Sequence, residues 1–246
     1  MNIVKLDAID STNDYLKGLL RKQTADDFTV VTAELQTMGK GQRGSTWTSE
    51  EGKNIIMSVL VKDFVEGSNS LFDINIVASL AVFNALQRFE IPKLTIKWPN
   101  DIMSDNKKIG GILVENIFKG DNAIDSIVGI GLNVNQTAFE NLPQASSLAL
   151  ILNHSLDKDK LLLQIASSIE ETVKSWEDNA EELRETYIDL LFRKDMPTVF
   201  EISENSSFCG TIRGITWSGR LEIEDENGQL LNFDVKEVKM IFYALC

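Results

Sequence analysis

The chain has 246 residues, and its 24 basic and 37 acidic side chains give a formal net charge of −13. So acidic a chain lacks the positive surface with which general nucleic-acid-binding proteins hold DNA or basic proteins dock on an anionic membrane. Apolar residues make up 43% and charged residues 25%, which is typical of a folded globular protein. Without a membrane-length apolar run or a secretory signal, the sequence predicts a cytoplasmic protein.

Cys209 and Cys246 are the two cysteines. Two cysteines do not make the disulfide framework of a small secreted protein, and a chain of this length can bury a core without covalent links. We therefore expect both thiols to be reduced.

Strands and helices alternate along most of the chain. Alternating apolar and β-branched residues predict strands at 2–9, 28–36, 54–62 and 95–98. Two more strands, 110–118 and 123–135, are predicted to pair antiparallel around a turn at 119–122. Helical spacing of apolar residues predicts helices at 11–22, capped by Ser11 or Thr12, and at 70–89, 157–177 and 179–192.

The pattern changes near Met196-Pro197, where helices give way to short strands separated by turn signals. Asn227-Gly228 is a strong hairpin turn, because both residues tolerate the positive φ that such a turn requires. About 50 residues of this kind predict a small β-barrel. The sequence therefore predicts an α+β protein with domains at 1–193 and 194–246.

The segment 39–44 reads GKGQRG and matches the pattern G-x-G-x-x-G. In a dinucleotide-binding fold this pattern opens a helix, whereas here a further strand follows, and the catalytic motifs of protein kinases are missing. Two interpretations stay open: a plain connection between strands, or a loop whose backbone N–H groups bind an anion together with Lys40 and Arg43.

The motif Lys97-Trp98-Pro99-Asn100-Asp101 ends a predicted strand. Its polar residues either cap their own turn or face a ligand, and a lysine within a strand favours the second interpretation because it is costly to bury unpaired. Paired glycines in KKIGGILVE (107–115) and GIGLNVN (129–135) indicate a bulge or a ligand pressed against the backbone, or else plain sheet packing.

Together, Ser11-Thr12-Asn13, the stretch 34–47, KWPND, KKIGGILVE and GIGLNVN resemble the biotin protein ligases, the biotin–[acetyl-CoA-carboxylase] ligases. The resemblance runs from about residue 5 to the end of the chain. It implies a seven-stranded mixed sheet with helices, like that of lipoyl ligases and class II aminoacyl-tRNA synthetases, followed by an SH3-like barrel. Because the first strand begins within ten residues of Met1, we expect the ligase-only type, without the DNA-binding domain of some members.

The resemblance also implies a reaction in two steps. Biotin and ATP, with Mg²⁺, form biotinyl-5′-AMP, and the biotinyl group then passes to one lysine of a biotin carboxyl carrier protein. The implied catalytic residues are Lys108, Lys40 and Asp101. The implied biotin-binding residues are Ser11, Thr12, Asn13, Gln36, Gly39, Lys40, Gly41, Gln42, Lys108 and Gly111. The implied nucleotide-binding residues are Arg43, Trp47, Lys97, Asn100 and Asn133, and no residue is predicted to be a dedicated metal ligand.

The glycine loop departs from the family's commonest pattern, G-R-G-R-x-G-R-x-W. Lys40, Gln42 and Ser45 stand where arginine is usual, so one bidentate fork and two charges are lost. We therefore expect this loop to hold biotinyl-AMP less tightly than an arginine-rich loop does.

Two alternatives compete with this interpretation. One is a lipoate–protein ligase or octanoyltransferase of the same superfamily, and the other is a non-catalytic binding module, either a biotin sensor or an adaptor built on the barrel. The expected partners are biotin, ATP and the carrier protein, without DNA or membrane, and a homodimer through the sheet is possible.

Overall fold

The computed structural model describes residues 1–66, 71–119, 123–140, 142–203, 206–242 and 246, without the side chains of Arg43, Val65, Glu66 and Ser203. Residues 120–122 of the turn predicted at 119–122 lie outside this part. The larger sheet consists of β1 (Ile3–Ile9), β2 (Val30–Gln36), β3 (Ile55–Glu66), β4 (Leu94–Lys97), β5 (Asp101–Ser104), β6 (Lys107–Phe118) and β7 (Ala123–Leu132). Its order is β1-β2-β3-β7-β6-β5-β4. β1 and β2 are parallel and the other neighbours antiparallel, so the predicted mixed sheet is confirmed.

Four helices are described: α1 (Thr12–Arg21), α2 (Asp73–Gln87), α3 (Leu148–Leu152) and α4 (Lys158–Asp189). Ser11 caps α1 as predicted, because its hydroxyl accepts from the backbone N–H of Asp14. The helices predicted at 157–177 and 179–192 are confirmed as two helical segments of α4 that meet at a kink at Asn179, where φ is −133°.

The two faces of the large sheet differ because successive side chains of a strand point to opposite sides. On β3, Ile55, Met57 and Val59 belong to the main apolar core with α2. Each such fully buried side chain stabilises the fold by about 1.5–3 kcal/mol. The residues between them, Ile56 and Ser58, lie on the opposite face, which carries the candidate site.

The second sheet follows α4 and contains β8 (Pro197–Ser203), β9 (Ser206–Ile215), β10 (Leu221–Asp225), β11 (Leu230–Phe233) and β12 (Lys239–Ile241). Its order is β11-β10-β9-β8-β12, and all neighbours are antiparallel. The predicted turn at Asn227-Gly228 joins β10 to β11, with a φ of 76° at Gly228. The predicted fold class, a mixed sheet with helices followed by a small β module, is confirmed. The domain limits at 193 and 194 stay a prediction.

Cys209 on β9 and Cys246 form a disulfide bond in the structure, with their Cα atoms 5.6 Å apart. The expectation of two reduced thiols was therefore wrong. The two residues are separated by 37 positions in the sequence, so their proximity arises from the folding of the second sheet.

The sequence predicts no membrane-crossing helix. None of the helices in the described ranges is long and apolar enough to cross a membrane.

Candidate active site

A row of directly opposed residues crosses four strands of the large sheet. Lys97 faces Asp101, Asp101 faces Gly111, and Gly111 faces Gly131. Opposed residues point to the same face of a sheet. Three separate sequence motifs, KWPND, KKIGGILVE and GIGLNVN, therefore meet along one line on the face opposite α2.

A β-bulge brings Lys108 to the same face. The register between β5 and β6 shifts, so that Gly110 is opposite Ile102 whereas Lys108 is opposite Met103. Ile109 is the extra residue, and Lys108 consequently lies beside Gly111 although three positions separate them. A Cβ atom on Gly111 would come within 3.3 Å of Lys108 Nζ. Bulges are common next to active sites because they re-aim a side chain in this way.

Asp101 holds the ammonium groups of two lysines. Its Oδ1 is 2.6 Å from Lys108 Nζ, and its Oδ2 is 3.5 Å from Lys97 Nζ. The KWPND motif itself is the hairpin turn between β4 and β5, in which Asn100 N–H donates to the Lys97 carbonyl over 3.1 Å. The carboxylate of Asp101 thus contacts lysines, and the simple turn-cap interpretation does not describe it.

A second polar cluster surrounds the start of α1. The backbone N–H and the hydroxyl of Thr12 donate to Gln36 Oε1 over 2.8 and 3.0 Å. Ser58 Oγ is 2.7 Å from Thr12 Oγ1 and 2.6 Å from Asn13 Oδ1. Asn13 Nδ2 donates to Glu115 Oε2 over 2.7 Å. The structure therefore joins the predicted residues Thr12, Asn13 and Gln36.

Ser58 and Glu115 also belong to this cluster and were not predicted from the sequence. A signal for Ser58 was present, because it is the one polar residue within the apolar run IIMSVLV of β3. Gly129 explains how Asn13 fits, since a Cβ atom there would lie 2.5 Å from Asn13 Oδ1.

Ser58→Ala should lower the free energy of unfolding by about 1–3 kcal/mol, because it leaves the buried Asn13 Oδ1 without its donor and removes the hydroxyl that contacts Thr12 Oγ1. Ser79 is a matched control: both serines are fully buried, but within the described residues Ser79 Oγ has no hydrogen-bond partner. We expect Ser79→Ala to be neutral or slightly stabilising. Urea unfolding of the purified variants measures both, and equal losses would contradict the cluster.

The glycine loop is a closed connection between β2 and β3. Gly41 N–H donates to the Ser45 carbonyl over 2.7 Å, and Trp47 N–H donates to the Gly39 carbonyl over 3.0 Å. A Cβ atom on Gly39 would overlap the Trp47 carbonyl, so glycine is required there for close approach.

Lys40 points from this loop to α1. Its Nζ is 2.5 Å from Asp14 Oδ2, and this hydrogen bond raises the pKa of Lys40 and lowers the pKa of Asp14. Lys40 therefore pairs with Asp14 and not with Asp101, the partner of Lys108. Its catalytic role stays a prediction. The side chain of Arg43 lies outside the described part of the structure.

Trp47 covers the glycines of the row. A Cβ atom on Gly131 would lie 2.6 Å from Trp47 Cζ2, and one on Gly111 would lie 3.6 Å from Trp47 Cζ3. Lys108 Nζ is 5.8 Å from the indole centroid. In the part of the chain that the structure describes, Trp47 Nε1 is buried without a hydrogen-bond partner. A buried donor of this kind calls for an acceptor that a ligand can supply.

A cavity of about 680 Å³ lies over this face, a volume typical of small-molecule sites. The predicted residues in its lining are Ser11, Thr12, Asn13, Gln36, Lys40, Gly41, Gln42, Trp47, Lys97, Asn100, Asp101, Lys108 and Gly111. Gly39 and Asn133 are not in the lining. The buried amide of Asn133 instead donates to the Ser146 carbonyl over 3.0 Å and holds the segment before α3.

The second sheet also contributes to the cavity, which the sequence analysis did not predict. Residues of the lining from this part of the chain include Phe200, Val235, Val238, Met240 and Phe242. No local motif distinguishes them from ordinary apolar strand residues.

Magnesium was expected with the nucleotide. Across the described ranges no three His, Cys, Asp or Glu side chains form a group that could hold a metal ion. Asp101, the carboxylate of the row, already contacts two ammonium groups. The described residues therefore do not fit a resident Mg²⁺ site.

Comparison with known proteins decides the family. Residues 6–133, slightly more than half of the chain, match the model of the biotin/lipoate A/B protein ligase family. The chain belongs to this family. The site residues from Thr12 to Asn133 all lie inside the segment that matches the family model.

Relatives in this family include ligases of different lengths. The bifunctional ligase/repressor BirA of Salmonella typhimurium is 32% identical over 133 residues, which cover 54% of this chain and 41% of that protein. The chain therefore spans about two fifths of that relative. The biotin–[acetyl-CoA-carboxylase] ligase of Mycobacterium tuberculosis is 26% identical over 223 residues, covering 88% of this chain and 82% of that ligase.

Solved structures of the family share the whole fold. Biotin protein ligase from Aquifex aeolicus in complex with biotin and ATP superposes with a TM-score of 0.79 and 27% identity. The match covers 98% of both chains. The mixed sheet and the small second sheet are thus both present in a family member of similar size.

Proposed function

We propose that this protein is a biotin protein ligase, which activates biotin with ATP to biotinyl-5′-AMP and transfers biotin to a lysine of a biotin carboxyl carrier protein. The observation that carries the proposal is the position of Lys97, Asp101 and Lys108 at one cavity with the Thr12–Gln36 cluster. The similarity to a ligase solved with biotin and ATP supports it.

The first step joins two anions. A carboxylate oxygen of biotin attacks the α-phosphorus of ATP, and the bond to the bridging oxygen breaks as pyrophosphate leaves. Preorganised cations stabilise the charge that develops in such a phosphoryl-type transfer. Lys108 and Lys97 supply two positive charges against the one negative charge of Asp101, so this cluster carries a net positive charge toward the reacting groups.

Biotin is oriented by the polar cluster at α1. Its ureido group offers one carbonyl acceptor and two N–H donors, and Thr12, Asn13 and Gln36 present hydroxyl and amide groups at the cavity. The flat surface of Gly111, Gly131 and the Trp47 indole lies between this cluster and Lys108. A ligand that reaches from the cluster to Lys108 must therefore contact or displace the indole.

The second step transfers the biotinyl group. The amine of the carrier lysine attacks the carbonyl carbon of the mixed anhydride, the bond to the phosphate oxygen breaks, and AMP leaves. The attacking amine must lose a proton, and Asp101 is the carboxylate that orients or accepts it.

The test is incubation with biotin, ATP, Mg²⁺ and a biotin-carboxyl-carrier domain, followed by intact-mass analysis. We expect the carrier to gain one biotinyl group. ATP–pyrophosphate exchange with biotin or lipoate separates the two branches of the family. Exchange with lipoate but not with biotin would overturn the proposal in favour of a lipoate ligase.

The remaining parts of the proposal concern the surroundings of the enzyme. We place it in the cytoplasm, where ATP and carboxylases are found, acting without DNA in keeping with its charge of −13. Mg²⁺ would arrive with the ATP phosphates, because it usually retains water and few protein ligands. We also propose a homodimer through the large sheet, which size-exclusion chromatography with light scattering tests.

Gln42→Arg should slow the release of biotinyl-AMP about tenfold. Gln42 lines the cavity, and an arginine there would add a charge-assisted hydrogen bond to the adenylate phosphate. Gln87→Arg, on the exposed end of α2, adds the same charge away from the cavity and should change nothing. Rapid gel filtration of preformed enzyme with labelled biotinyl-AMP measures the release, and an unchanged rate in Gln42→Arg would refute this interpretation of the loop.

A further inference from the structure

The turn before β10 in the second sheet contacts the catalytic hairpin directly. The indole N–H of Trp98 donates to the Gly219 carbonyl over 2.9 Å, and Trp98 is only 8% exposed. Trp98 follows Lys97, whose side chain faces the cavity. One residue of the KWPND motif therefore binds the second sheet, while its neighbour serves the site.

The turn at 216–219 is itself fixed against the first part of the chain. Gly219 N–H donates to the Thr216 carbonyl over 2.9 Å, and Gly219 has a φ of 85°. A Cβ atom on Gly219 would overlap the ring of Phe72, so the backbone packs directly on the start of α2. Arg184 of α4 donates to the Trp217 carbonyl over 2.9 Å. The acceptor for the indole of Trp98 is thus held in place.

A buried tyrosine supports the same hairpin from α4. The hydroxyl of Tyr187 donates to the Pro99 carbonyl over 3.4 Å, and its ring packs edge-on against Phe72, with centroids 6.0 Å apart. Burial raises the pKa of Tyr187, so its hydroxyl remains a donor. Trp98 and Pro99, which also line the cavity, are therefore held by the second sheet and by α4.

We propose that Trp98 is a positioning residue through which the second sheet fixes the orientation of Lys97 and Asp101. The proposal rests on the proposed function, since it assigns the second sheet a part in that reaction. Lys97 and Asp101 are the residues on either side of the turn Trp98-Pro99-Asn100, so a shift of this turn moves both. Displacements of about 1 Å can cost on the order of 100-fold in rate.

The first test is Trp98→Phe, which keeps an aromatic ring but loses the N–H donor. Its matched control is Trp176→Phe on α4, a partly buried tryptophan that packs edge-on against Phe64. We expect kcat of biotin-dependent pyrophosphate exchange to fall about 10- to 100-fold in Trp98→Phe, with KM for biotin within about twofold. The hydrogen bond of Trp98 acts on the hairpin that carries Lys97 and Asp101, whereas the proposed biotin cluster lies at α1, so kcat should change more than KM for biotin. Trp176→Phe should leave both constants near the wild-type values.

The second test does not depend on enzyme activity. Benzothienylalanine at position 98 keeps the shape of tryptophan without its N–H group, so it removes the hydrogen bond without opening a cavity. In both position-98 variants, amide hydrogen exchange within 97–101 should be at least about tenfold faster than in the wild type and in Trp176→Phe.

The outcomes separate the two proposals. If the wild-type protein shows no biotin-dependent pyrophosphate exchange, the proposed function is contradicted. Amide hydrogen exchange in the hairpin still decides whether Trp98 is a positioning residue. Unchanged amide exchange in the hairpin, or an increase spread evenly over the second sheet, overturns the positioning role. In an active wild type, an unchanged kcat in both position-98 variants overturns it as well.

Discussion

Lys108→Ala should lower the rate of biotin-dependent ATP–pyrophosphate exchange by about 100- to 1,000-fold. Removing one preorganised group that stabilises developing charge typically costs this much. Lys108 Nζ is 2.6 Å from Asp101 Oδ1 and close to Gly111, so it lies where the biotin carboxylate and the α-phosphate are expected to meet. Exchange of labelled pyrophosphate into ATP measures the first step without a carrier protein.

Lys107→Ala is the matched control for this variant. Lys107 is the preceding residue of β6, but its Nζ donates to the Pro143 carbonyl on the outside of the protein. Lys107→Ala removes the same charge at almost the same place in the sequence. We expect its rate of pyrophosphate exchange to stay within about twofold of the wild-type rate. If Lys108→Ala kept more than about a tenth of the wild-type rate, Lys108 would not be the group that brings the two anions together.

Lys108→Ala should also leave the fold intact, because its side chain is 37% exposed and Asp101 keeps Lys97 as a partner. Thermal unfolding in the presence and absence of biotin verifies this. A large loss of stability would mean that the lost activity reports on folding and not on the chemistry.

Local signals in the sequence predicted most of the secondary structure. The cap at Ser11 and the turn at Asn227-Gly228 depend on residues that are neighbours in the chain, and both are present in the structure. β5 (Asp101–Ser104) was missed because it is short and follows a Pro-Asn turn, and its strand character comes from pairing with β4 and β6. The break predicted between the helices at 157–177 and 179–192 is present as a kink at Asn179 within α4.

The sequence predicted which residues form the candidate site better than it predicted how they are arranged. Motifs marked Lys97, Asp101 and Lys108, because lysines and glycines within strands are unusual. The sequence does not reveal that a bulge at Ile109 turns Lys108 toward Asp101, because a bulge is defined by the partner strand. The pair of Lys40 with Asp14 likewise depends on how the glycine loop lies against α1, which the sequence does not reveal.

Contacts between distant parts of the chain were the least predictable. The second sheet lines the cavity and binds Trp98 through Gly219, although neither Gly219 nor the apolar lining residues carry a recognisable motif. The disulfide between Cys209 and Cys246 belongs to the same class of contact. Such contacts follow from how the second sheet folds and how the two sheets pack, which no single segment encodes.

Arg184→Ala should lower the free energy of unfolding by about 3–5 kcal/mol at neutral pH, because it leaves a buried carboxylate without its cation. Arg184 of α4 donates to the carboxylate of Asp73 in the first turn of α2, and both residues are 6% exposed. It also donates to the Trp217 carbonyl and lies over the Trp217 ring, 4.3 Å from its centroid. One guanidinium thus joins α2, α4 and the second sheet.

The stability lost in Arg184→Ala should be larger at higher pH. Burial raises the pKa of Asp73, while the Arg184 guanidinium acts in the opposite direction. Since the folded-state pKa is above the ordinary value, this carboxyl favours the folded state below its ordinary pKa, and that contribution is lost as the pH rises through the folded-state pKa. Arg184→Ala removes the opposing charge, so the variant should lose more stability at about pH 7.5 than at about pH 5.

Urea unfolding of the wild type and of Arg184→Ala at both pH values measures this difference. Lys174→Ala on the same helix is the control, because Lys174 forms an exposed pair with Glu170 at 2.6 Å. Exposed pairs of this spacing contribute about 0.3–0.5 kcal/mol. A loss in Arg184→Ala as small as that of the control would show that the pair with Asp73 is not buried in solution. A loss that grew on acidification would contradict the pair itself, because removing a cation that stabilises the carboxylate of Asp73 can only make the loss smaller at lower pH.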